Sequence, residues 1–111
     1  MPADDVAVLV VDVKAVARGY RMTSLIGRDV FNDRDESVGV VDDFIMTRET
    51  PDRISFAVLE VGGFLGIGAK LVAIPFDSLQ FDQSGDKLRI VLPGATRDTL
   101  EKLPEFVYRS I

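Results

Sequence analysis

A chain of 111 residues with 47% apolar and 28% charged side chains is long enough to bury a hydrophobic core without disulfides or metal, and is read as a single domain spanning 1–111. Having no cysteine and no histidine, it is denied thiolate metal sites, thiol redox chemistry and the usual general base near neutral pH. Thirteen basic against eighteen acidic residues give a net charge of −5, the wrong sign for a phosphate-neutralising surface, and no apolar run is long enough to cross a bilayer. Asp4, Asp5 and Asp12 also interrupt any basic-then-apolar leader. A cytoplasmic location is the default expectation.

Residues 6–13 read as the first strand, apolar enough on both faces to be covered by a second chain. Asp12 is placed to cap a short helical turn over 14–18, ended by Gly19. Tyr20 and Met22 follow as anchors. A further tight turn opens at Thr23 or Ser24 and closes at Gly27. Val30 and Phe31 begin the next strand, and the polar run 32–37 predicts a hairpin loop. Residues 38–47 form the returning strand. Its alternation slips at Asp42 and Asp43, where a β-bulge would restore the inward facing of the later apolar residues.

After a polar turn over 48–53, residues 54–61 read as a central strand with both faces apolar. Then comes Gly62-Gly63-Phe64-Leu65-Gly66-Ile67-Gly68, with glycine at four of seven places. Gly62, Gly63, Gly66 and Gly68 are expected to form a structural turn, while Phe64, Leu65 and Ile67 are candidate contacts to a partner. Residues 70–74 make another strand, ended by Pro75. Residues 79–81 pair with 87–92, where Leu88, Ile90 and Leu92 alternate onto one face. The last element is a helix with Thr96 as N-cap, Leu100 and Leu103 as its buried stripe, and Pro104 as its stop. The spacings Arg97–Glu101 and Asp98–Lys102 allow ion pairs on its solvent side. Phe106 and Val107 are placed to pin the tail. So many short strands predict a mainly β fold: a small, closed or partly open β-barrel with one short C-terminal helix.

Chemical sites are weakly drawn. Gly63, Gly68 and Lys70 approach a phosphate-binding loop, but Ala69 intrudes, Leu71 stands where magnesium needs a hydroxyl, and a strand follows where a helix is required. Asp33, Asp35 and Glu36 lack calcium-loop spacing, since the twelfth position from Asp33 is Phe44. Asp42 and Asp43 are adjacent on a strand and so point to opposite faces unless a bulge turns them. No serine has a histidine to activate it, and the four lysines carry no serine–lysine motif. No catalytic, cofactor or metal residue is assigned.

The stretches Leu25-Ile26-Gly27-Arg28-Asp29-Val30-Phe31-Asn32, Val38-Gly39-Val40-Val41-Asp42-Asp43-Phe44-Ile45 and above all 56–68 with 70–76 make the chain resemble the PRC-barrel family. That family is named for the cytoplasmic domain of the photosynthetic reaction-centre H subunit and includes the C-terminal domain of a ribosome maturation factor. The likeness runs from about Tyr20 to Phe106. It implies a small β-barrel, used alone or as a module, with no shared catalytic residues. The sequence shows neither the membrane helix of the first relative nor the additional N-terminal domain of the second, a departure that counts against both specific roles.

The expectation is therefore a non-catalytic, soluble protein-interaction or scaffold module. It is expected to be homodimeric and to engage another protein, with strand 6–13 available for dimerisation. Membrane insertion is not expected, and nucleic acid is a disfavoured partner. One alternative is a barrel that binds a small ligand in its interior. Another is a ribosome- or RNA-processing-linked adaptor, which would need Arg18, Arg21 and Arg28 to form one positive patch.

Overall fold

The computed structural model describes residues 9–63 and 68–109. Two short helices come first, α1 (Val13–Ala17) and α2 (Met22–Leu25). They precede strands β1 (Asp29–Phe31), β2 (Ser37–Ile45), β3 (Phe56–Val61) and β4 (Lys70–Pro75). A 3-10 turn (Phe76–Ser78) leads to the hairpin β5 (Gln80–Ser84) and β6 (Lys87–Val91), and α3 (Arg97–Glu101) follows. The strands form one six-stranded sheet in the order β4-β3-β2-β1-β6-β5, antiparallel except where β1 meets β6. The described β4 and β5 remain the two edges, so the barrel is partly open and not closed.

The interior follows from strand alternation. Leu59 on β3 lies between Val41 of β2 and Val72 of β4, and none of the three is more than 1% exposed. Val30, Ile90, Leu92, Leu25 and Leu100 extend the same apolar cluster beneath β1, β6 and the helices. Two irregularities aim β2 correctly. The register shifts between Val30 and Phe31 of β1 and again between Val41 and Asp43 of β2, the second being the bulge that the sequence calls for. At the open seam a file of aromatic rings does what hydrogen bonds do not. Tyr20 stacks on Phe81, Phe81 lies beside Phe76, and Phe76 meets Phe44 edge-on, each pair 5.7–5.8 Å apart.

Both outer helix caps are as expected. Asp12 accepts hydrogen bonds from the amides of Lys14 and Ala15, and Thr96 forms a capping box with Thr99. The N-terminal strand is a correction. In its described half, 9–13, there is no strand pairing; the chain is irregular to Asp12 and helical from Val13. A β-prone segment forms a strand only where a neighbour accepts its backbone bonds. The Asp12 cap competes directly for the amides of Lys14 and Ala15. The tight turn expected to open at Thr23 or Ser24 is helix α2, which opens earlier, with Arg21 at its N-cap position and no side-chain bond there.

Asn32 is the buried polar side chain of the described core, 3% exposed. Its Oδ1 accepts from the amides of Arg34 and Glu36. Its Nδ2 donates to Glu36 Oε1 and to the Ala95 carbonyl, so the amide ties the β1–β2 loop to the turn after β6. Replacing it by Ala leaves those backbone groups without their partner in a partly buried place. We expect Asn32→Ala to lower unfolding free energy by about 2 kcal/mol, read from urea denaturation midpoints at unchanged m-value.

Candidate functional site

The glycine segment is the natural place to look for function, because β3 and β4 hold its two ends in a fixed base. Val61 pairs with Lys70 across that base. Gly62 and Gly63 leave β3 with φ of 71° and 78°, and Gly68 returns with φ of 78°, all in the left-handed region that favours glycine. These three thus have the backbone angles that the expected turn would use. The fourth glycine, Gly66, and the candidate contact residues Phe64, Leu65 and Ile67 lie outside the described residues.

The loop's lysine is already spent. Lys70 Nζ donates to the Leu103 carbonyl at 2.6 Å, so it does not point at a phosphate cradle. The segment after it is strand β4, which supplies no helix N-terminus. Beside the loop lies an open groove of about 410 Å³ lined by Ser37, Gly39, Glu60, Gly63, Arg97 and Glu101 among others. Arg97 Nε donates to the Ser37 carbonyl at 2.8 Å, which draws it away from the expected pair with Glu101. The other helical pair forms, Lys102 to Asp98 at 2.9 Å.

The acidic residues disperse into structural duties. Asp33 accepts from the Gly94 amide, a bond that holds its carboxyl below the ordinary value. Asp35 pairs with Arg89, whose guanidinium also sits 4.4 Å over the Phe31 ring, and Glu36 binds Asn32. Among the described residues these acids, like the rest, form no cluster able to hold a metal ion. Asp43 Oδ1 accepts from the next amide, Phe44. Asp42 is the extra residue of the bulge and accepts from the Tyr108 hydroxyl at 2.6 Å. Burial of the phenol, then the nearby Asp42 carboxylate, push the Tyr108 pKa above its ordinary value. The two aspartates thus serve separate partners.

Interior side chains such as Leu59, Val41, Val72 and Ile90 occupy the space a barrel ligand would need. The grooves found among the described residues open at the surface. The arginine patch is thinned too. Arg28 donates to the carbonyls of Ser24 and Leu88, leaving Arg18 and Arg21 on the exposed N-terminal arm.

The Tyr108–Asp42 bond is the site feature that sequence reasoning missed. Its only signal was Asp42 at the pattern slip, and the two residues are 66 positions apart. A comparison with curated proteins finds no match. No helix among the described residues is long and apolar enough to cross a membrane. The profile described as PRC-barrel domain matches residues 17–96, from the end of α1 through the whole sheet to the cap of α3, and the chain therefore belongs to the PRC-barrel family.

Proposed function

We propose that this protein is a non-catalytic interaction module of the cytoplasm, which assembles as a homodimer and offers a scaffold surface to another protein. One observation carries the reading. Leu9, Val10, Val11, Val13 and Val16 are 60–78% exposed in succession. Helix α1 buries none of its side chains, and at five residues it is far shorter than a helix that stands alone in water. Covering each of these side chains is worth about 1.5–3 kcal/mol before the cost of association, enough to favour a protein partner. Charge supports a second copy as that partner. Residues 13–28 carry Lys14, Arg18, Arg21 and Arg28 and no acid, whereas the remainder of the chain has eighteen acids against nine bases.

The test is mass in solution. Light scattering at micromolar concentration is expected to give a dimer for the native chain and a monomer for Val10→Asp/Val13→Asp. A native chain that is strictly monomeric there removes the dimer from this reading. Partner contact at the loop is checked separately, by recovery from native extract with Leu65→Asp and Ile67→Asp; loss of a reproducible partner without unfolding is the expected result.

A further inference from the structure

The outer face of the sheet carries a feature that neither the barrel core nor the glycine loop explains. Val58 is paired with Asp43 of β2 and Ala73 of β4, on the side of β3 opposite Leu59, yet it is fully buried. Residues 103–109 are bonded to the strands on either side of β3. The Phe106 amide donates to the Leu71 carbonyl at 2.8 Å, on the otherwise unpaired edge of β4. Two residues later, the Tyr108 hydroxyl reaches Asp42 on β2. To join β4 with β2, this segment spans β3, the strand that carries Val58. The Phe106 and Tyr108 rings brace each other edge-on at 5.0 Å.

This segment is attached like a bound peptide and not like a strand. It carries no regular secondary structure, and its polar anchors are points: Lys70 Nζ to the Leu103 carbonyl, the Phe106 amide, and the Tyr108 hydroxyl. Val107 between the rings remains 72% exposed. Tyr108 itself is 42% exposed, so the segment is held by its edge and hydroxyl bonds, and edge capture is one way sheets recognise extended peptides.

We infer that the outer face of β2–β3–β4 is a seat for an extended aromatic-x-aromatic peptide, filled in cis by residues 103–109 and in trans by the same segment of a second copy. A second copy is the fitting occupant because the seat demonstrably accepts this segment, and because reciprocal exchange gives a closed, two-fold assembly. Pro104 follows the Leu103 anchor and fixes the backbone angle at which the segment leaves the end of α3. The inference rests on the dimeric interaction reading above and specifies one surface for it. Cis occupancy acts at an effective concentration on the order of millimolar, so free peptide below that does not enter the native chain, and exchange takes place only within a dimer already held by its other surfaces.

The experiment uses the full chain carrying Phe106→Gly/Tyr108→Gly, which empties the seat, and a synthetic peptide of residues 103–109. Amide chemical shifts of Val58, Leu71 and Asp42 are followed during titration. Saturable shifts are expected in the emptied chain and not in the native one. Binding should weaken roughly tenfold when Asp42→Asn is added or when the peptide carries Phe in place of Tyr108, because each weakens the bond to the carboxylate. A folded, emptied chain that shows no saturable shifts overturns the inference. Should the emptied chain unfold, hydrogen exchange of the native Phe106 amide decides. Exchange at least a hundredfold faster than at Leu59 and Val72 supports a segment that opens by itself; exchange only with global unfolding overturns it. Seat binding is read independently of mass, so a monomeric native chain would sink the dimer reading and leave these titrations interpretable.

Discussion

Leu59→Ala is expected to lower the unfolding free energy by about 3 kcal/mol and Tm by roughly 10–20 °C, measured by calorimetry. Leu59 is fully buried and flanked by Val41 on one neighbouring strand and Val72 on the other, themselves almost fully buried. The cost has two parts. Transfer free energy of the lost methyl and methylene groups comes first, and the cavity left behind adds to it. How large the second part is depends on whether the site can collapse. Here it resists collapse, because β4 pairs with β3 in an unbroken register past Leu59, and β2 pairs with it on both sides of the bulge at Asp42. The same strand supplies an internal control. Phe56 is 38% exposed at the end of β3, and its truncation removes a larger side chain from a site that water already reaches. Phe56→Ala should therefore cost less than Leu59→Ala, about 1 kcal/mol. Equal losses at the two positions would mean that the sheet is not organised around an inner face at Leu59.

What could be read from the residues was what is local. Asp12 and Thr96 announce their caps because a cap is a bond to an amide two or three positions away. The slip at Asp42 and Asp43 announces a bulge because strand periodicity is fixed at two. Leu88, Ile90 and Leu92 face the core for the same reason. What was hidden depends on distant partners. Asn32 sits in a run whose composition says only hairpin, and its importance comes from the Ala95 carbonyl 63 positions on. Residues 6–13 have the composition of a strand, but the described part finds no edge to join. Arg97 had a helical partner at the right spacing and went instead to the Ser37 carbonyl. The glycine-rich run was conspicuous in the sequence, while the path of residues 103–109 from β4 to β2 left almost no local trace. The family match ends at Thr96, before that path begins.

Gly63→Ala should destabilise the fold far more than Gly68→Ala, although both residues have φ of 78°. Backbone strain is common to the two and costs each about 1–2 kcal/mol. The surroundings differ. A Cβ on Gly68 would meet nothing within 4 Å, whereas one on Gly63 would lie 2.5 Å from Ala69 Cβ and 2.9 Å from Ala69 Cα. The obstruction is therefore partly backbone, and a rotamer change cannot relieve it. Nor can Ala69 retreat easily, since the next residue, Lys70, is held by its pairing with Val61 and by its bond to the Leu103 carbonyl. Gly62→Ala is the intermediate case, because the nearest obstacle there is Glu101 Oε1 at 3.2 Å, the end of a flexible side chain. Adding the clash to the strain, we expect about 3 kcal/mol for Gly63→Ala against about 1 kcal/mol for Gly68→Ala. Chemical denaturation measures the difference, and hydrogen exchange at Val61 and Lys70 should show the loop base loosening only in Gly63→Ala. If both variants lose the same stability, the two limbs of the loop do not touch, and the base of the proposed partner-contact tip is set by something other than the Gly63–Ala69 approach.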